Sequence, residues 1–101
     1  MPKITVDHKS SMPADQALVT IKNFFETDKD LHRIDPKIQC QISTADGRVK
    51  VNGSQFKADV EIKSIDGGSQ IKVVIDLPLL LTPFKGKVEE TIKKKLGKFL
   101  A

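Results

Sequence analysis

Residues 38–76, IQCQISTADGRVKVNGSQFKADVEIKSIDGGSQIKVVID, decide the fold of this chain. Apolar residues recur at every second position in four runs: Ile38, Cys40 and Ile42; Val49 and Val51; Phe56, Ala58, Val60 and Ile62; Ile71, Val73 and Ile75. A period of two puts each set on one face of a strand. The separators are Thr44-Ala45-Asp46-Gly47, Asn52-Gly53 and Asp66-Gly67. Asn-Gly and Asp-Gly tolerate positive φ at both turn positions, so each predicts a two-residue hairpin turn.

These turns predict registers. A four-residue loop at Thr44–Gly47 sets Ile42 opposite Val49, and a two-residue turn at Asn52-Gly53 sets Val49 opposite Phe56. A two-residue turn at Asp66-Gly67 sets Ile62 opposite Ile71. All three match apolar with apolar on one face, and a slip of one residue would send a whole strand's apolar set to the wrong side. The prediction is an antiparallel meander. Its other face carries Gln39, Gln41, Arg48, Lys50, Lys57, Asp59, Glu61, Lys63 and Lys72 and reads as solvated, with Val74 as a lone surface valine.

Outward from the meander, Lys3 to His8 alternates as a short strand. Pro13 to Thr27 carries Ala14, Ala17, Leu18, Ile21, Phe24 and Phe25 at helical spacing, after a start at Ser11-Met12-Pro13 in which Ser11 is the expected cap. Asp28 to Pro36 is polar and reads as a loop in which Asp28, Asp30, Asp35 and His32 are solvated. At the other end Thr82 caps a helix starting at Pro83, whose stripe is Phe84, Val88, Ile92, Leu96 and Phe99. The fold class is therefore α+β, one domain over residues 1–101, in the order β-α-β-β-β-β-α, with both helices on the apolar face of the sheet.

The chain has 101 residues, 17 of them basic and 13 acidic, for a net charge of +4. The segment from Lys85 to Lys98 holds six Lys and two Glu and so contains the entire surplus. An electrostatic partner is expected to meet that helix. Lys87, Lys93 and Lys94 point outward on a helical wheel, whereas Lys95 falls beside the apolar stripe and must run its stem along the core edge to reach water. The N-terminal residues hold no long apolar run, and Val73 to Leu81 is too short and too interrupted to span a bilayer. With a single cysteine as well, the expected location is the cytoplasm.

Catalytic patterns are missing. Cys40 alternates with Ile38 and Ile42 and points into the predicted core. His8 and His32 are far apart and make a poor metal site, so no metal or cofactor is expected and the chain reads as non-enzymatic. Nucleic acid is disfavoured because Arg33 and Arg48 are the only arginines and no aromatics interleave with the lysines. Gly86 is unusual in a first helical turn, where close approach by another backbone or chain is one explanation and simple tolerance the other.

The stretch Leu77-Pro78-Leu79-Leu80-Leu81-Thr82-Pro83-Phe84-Lys85-Gly86-Lys87-Val88-Glu89, with the ending Phe99-Leu100-Ala101, resembles the bacterial polyhydroxyalkanoic acid system family. The opening strand, His8 and the Ser–Pro helix start are similar too. The resemblance implies an accessory role at polyester storage granules, through the granule surface or a granule protein, and offers no catalytic residue. The contact residues expected from it are Leu79, Leu80, Phe84, Lys85 and Gly86, with Lys87, Lys93 and Lys94 facing outward. Homo-oligomerisation is expected, if anywhere, through the C-terminal helix region. The alternative is a carrier of a small apolar, acyl ligand held between sheet and helices.

Overall fold

The structure is a computed structural model that describes residues 3–43, 45–54, 57–77, 83 and 85–100. Strand β1 spans Lys3–Ser10 and helix α1 Ala14–Thr27. A short helix α2, Lys29–Ile34, leads into strands β2, Gln39–Ser43, β3, Arg48–Asn52, β4, Lys57–Ile65, and β5, Gly68–Asp76. Helix α3, Lys85–Phe99, follows. The sheet is antiparallel with order β1-β5-β4-β3-β2, so the meander is as predicted and the first strand closes it against the last.

The inner face is continuous across the strands. Ile4 and Val6 lie beside Ile75 and Val73; Ala58, Val60 and Ile62 follow, then Val49 and Val51, all buried. Helix α1 buries Ala17, Leu18, Ile21, Phe24 and Phe25 on this face, and α3 buries Val88, Ile92 and Leu96. The two helices divide the sheet: α1 crosses β2 to β5, and α3 lies on β1. Val74, on the outer face, is half-buried.

Two of the three registers hold. Ile42 pairs with Val49, and Ile62 with Ile71. The third does not: Val49 pairs with Val60, not Phe56, and the closing pair of that hairpin is Asn52 with Lys57. The connection is residues 53–56, and Phe56 itself lies outside the described residues. The slip is four residues, an even number, so every apolar side chain stays on its face. Nor does Gly53 use positive φ; among the described residues only Gly47, Gly67 and Gly68 do. The reason for glycine at 53 is proximity. A Cβ there would overlap the carboxylate of Asp35, only 2.6 Å from its Cγ. In the β4–β5 turn only the glycine of Asp66-Gly67 takes the left-handed conformation.

The expected loop after α1 is instead helix α2. Asp28 occupies its N-cap and accepts from the Leu31 N–H at 3.1 Å, and Leu31 is buried. Asp28 and Asp35 are buried rather than solvated. The Asp35 carboxylate accepts from Lys37 N and Ser54 Oγ, both at 3.0 Å, and ties the β3–β4 connection to the start of β2. His32 lies in α2 and donates from Nε2 to the Phe25 carbonyl at 3.2 Å. At α1 the N-cap position is Pro13, not Ser11. The proposed Thr82 cap lies outside the described residues.

Candidate functional site

The basic face belongs to α3. Burial of Val88, Ile92 and Leu96 fixes the helix's rotation, each side chain contributing on the order of 2 kcal/mol. A second anchor is the His8 ring, whose Nε2 donates to the Leu100 carbonyl at 2.8 Å; a carbonyl only accepts, so Nε2 carries the proton. With the inner stripe fixed, Lys85, Gly86, Lys87, Lys93 and Lys94 are all exposed. Of the other predicted contact residues, Leu79, Leu80 and Phe84 lie outside the described residues.

The lysines are not equivalent. Lys93 pairs with Glu89 at 3.5 Å, one turn away. Lys95, the residue beside the stripe, turns inward to Asp28 Oδ1 at 2.5 Å and Asp30 Oδ2 at 3.1 Å. Hydrogen bonding to Asp28 raises the Lys95 pKa, against the opposing effect of burial. Hydrogen bonding to Lys95, then its charge, lowers that of Asp30. Among the described residues Lys85, Lys87 and Lys94 enter no ion pair. Apart from its chain neighbours and its own helix backbone, no atom of the described residues lies within 4 Å of a Cβ placed on Gly86, so no other described segment approaches it closely.

Phe99 departs from the expected stripe. It is 47% exposed, with the Lys98 ammonium 5.6 Å from its ring centre and the Phe24 ring 6.1 Å away. The stripe ends one residue later, on the buried Leu100. The last turn of α3 thus presents an aromatic ring beside the Lys98 ammonium.

A groove of about 1490 Å³ opens at the other end of the molecule, between the first turns of α1, the β2–β3 turn and the β4–β5 hairpin. Leu18, Ile42 and Ile62 line it, and Val19 and Ile65, 55% and 41% exposed, flank it. Among the described residues, Asp15 and Asp46 are the charged ones that line it. The hairpin is held there because Ser69 Oγ donates to the Met12 carbonyl at 2.9 Å. It exists because the first turns of α1, the β2–β3 turn and the β4–β5 hairpin leave that corner of the sheet open.

The single cysteine is half-buried, with Cys40 Sγ donating weakly to the Lys22 carbonyl at 3.9 Å. Burial, then the Glu26 carboxylate, pushes its thiol up to about 11. Both histidines are engaged by backbone carbonyls. On the outer face Glu61 meets Lys63 at 3.4 Å and Arg48 at 3.7 Å.

Fold and surface together define a class: an open antiparallel sheet with its helices on one face and a terminal helix that is basic outside and apolar inside. The chain belongs to the family described as "Putative polyhydroxyalkanoic acid system protein", whose profile matches residues 4–100. No curated protein matches the chain. No helix among the described residues is long and apolar enough to cross a membrane.

Proposed function

We propose that this protein is a non-enzymatic, cytoplasmic accessory protein of polyhydroxyalkanoate metabolism that uses the outer face of α3 to hold an anionic granule surface or granule-associated protein. The reading is carried by one observation: a buried inner stripe holds the exposed Lys87 and Lys94 outward, with Lys85 exposed at the helix start, and none of the three has an ion-pair partner among the described residues. Such a face attracts an acidic surface over about one Debye length, and the attraction weakens with salt. Phe99 adds an apolar contact at the end of the same helix. In sequence Leu79, Leu80 and Phe84 precede the helix, and no other described segment crowds the exposed Gly86. Lys93 extends the face beyond its pair with Glu89.

Pelleting purified protein with polyester granules across a salt series tests this. Recovery should require granules and fall as salt rises. Equal recovery with and without granules would end the proposal.

The groove favours a second reading, a carrier of a small apolar ligand. Its lining mixes apolar side chains (Leu18, Val19, Ile42, Ile62, Ile65) with polar ones, and its charged residues among those described, Asp15 and Asp46, repel a free carboxylate, so a neutral acyl ester fits better than a fatty acid. Native mass spectrometry of protein taken from cells should then show a bound species, and a bare chain mass counts against it.

A further inference from the structure

We infer that a second cavity, bounded by α1, α2 and the end of α3, binds a small carboxylate that carries a short apolar chain. The cavity measures about 550 Å³, within the range of small-molecule sites. It is separate from the larger groove, and Thr20 is the one described residue that lines both. Its walls differ in chemistry. One is aromatic, made by the buried Phe24 and the half-exposed Phe99, whose ring centres lie 6.1 Å apart. The two rings already touch, so an apolar chain lies against them rather than between them. The other wall is charged, with Lys29 and Arg33 from α2 and the Asp28–Lys95 pair behind them.

The sign of the ligand follows from which charges are already engaged. Both carboxylates of the cavity are taken: Asp28 and Asp30 hold the Lys95 ammonium, and Asp28 also accepts from the Leu31 N–H. Lys29 and Arg33, in contrast, enter no ion pair among the described residues. The described lining holds three basic and two acidic side chains, a surplus of one positive charge. The Lys98 ammonium, 5.6 Å from the Phe99 ring centre, adds to it. Positive charge converges on this corner: after Lys95 itself, Arg33 and Lys87 also act to lower the Asp30 pKa. An organic ammonium would find the carboxylates occupied and the free groups repulsive. A carboxylate finds two unpaired cations, one of them a guanidinium whose planar fork matches it. The Asn23 amide, without a hydrogen bond among the described residues, supplies a further donor. The chain of the ligand would cover the exposed part of Phe99.

Nuclear magnetic resonance titration of the isotope-labelled full chain tests this, with hexanoate as the probe, hexanamide as its uncharged control and acetate as the control without a chain. Hexanoate should shift the amides of Asn23, Thr27, Arg33 and Phe99 saturably. It should bind roughly tenfold more tightly than either control, the worth of one charge-assisted bond. Arg33→Gln, at an exposed side chain, should weaken hexanoate about tenfold with an unchanged circular dichroism spectrum. Lys50→Gln, the same loss of charge on the outer face of the sheet, should leave binding as it was. Should Arg33→Gln fail to fold, Lys29→Gln is read in its place. Equal binding of hexanamide would reduce the cavity to an apolar crease, and shifts centred on Ile42 and Ile65 would put the ligand in the larger groove. Either result, a lack of saturable binding, or an Arg33→Gln chain that binds as well as Lys50→Gln overturns the inference.

Discussion

Lys95 Nζ lies 2.5 Å from Asp28 Oδ1, joining the last helix of the chain to the cap of α2, 67 residues earlier. The Asp28 side chain is 7% exposed and that of Lys95 26%. A pair this enclosed matters most when one partner is removed, because the other charge is left without compensation. The companion contact to Asp30, 55% exposed, adds little. Lys95→Met should therefore lower stability by roughly 1–3 kcal/mol in urea unfolding. Asp28→Asn should lose the pairing yet retain the cap on Leu31 N–H, and the double variant should cost less than the two single changes added.

The same cluster gives a pH signature. The folded Asp30 pKa lies below its usual 3.8, so its contribution is present above 3.8 and is lost as pH falls through the lowered folded value. The folded Lys95 pKa lies above 10.5, so its contribution is present below 10.5 and is lost as pH rises through the raised value. The stability gap between the natural chain and Lys95→Met should be widest between those limits, narrow slightly in acid as the Asp30 contribution is lost, and fall more steeply in alkali as Lys95 loses its charge. Denaturant titrations at a series of pH values read it directly.

Cys40 should be inert at neutral pH. The thiolate is the reactive form, and a thiol at about 11 is almost entirely protonated there. Labelling by a soluble thiol reagent should be slow in the folded chain, fast in urea, and accelerate in the folded state only as pH approaches 11. Because the folded pKa exceeds the usual 9.0, the thiol's contribution is present below 9.0 and is lost as pH rises through about 11.

Gly53→Ala should destabilise by about 1–3 kcal/mol, since the new methyl must displace the buried Asp35 carboxylate. Removing that carboxylate as well, in Gly53→Ala with Asp35→Ala, should not add a second full penalty. Thermal unfolding of the two single variants and the double variant measures the coupling.

Lys85→Glu with Lys94→Glu should leave stability within about 0.5 kcal/mol, because both side chains are exposed and unpaired among the described residues. Granule recovery at low salt should nonetheless fall sharply. Unchanged recovery would remove the lysine face from the proposed contact.

Much of the fold was legible because it rests on parity. Ile42 against Val49 and Ile62 against Ile71 follow from alternation plus turn length. The same alternation could not separate Val49–Phe56 from Val49–Val60, since a shift of four preserves the face. Choosing between them required Asp35, distant in sequence, which reaches Ser54 and crowds Gly53. Helix α2 left a local signal, Asp28 three residues before Leu31 with Pro36 beyond, but six residues are too few for periodicity to register. The outward lysines of α3 were legible from the wheel. The inward turn of Lys95 to its particular partners was not, although its place beside the stripe was.

The amino-acid pattern alone determines which side of each strand is apolar, that the elements form an antiparallel α+β fold, and that positive charge gathers on the terminal helix. These are local properties, set by side-chain period and composition within a few neighbours. Tertiary structure alone decides that β1 joins β5, that Lys95 meets Asp28, that Phe99 stays in solvent while Leu100 is buried, and that one corner of the sheet opens as a groove. Each depends on where distant segments come to rest, and that placement is governed by the shape and volume of a shared core.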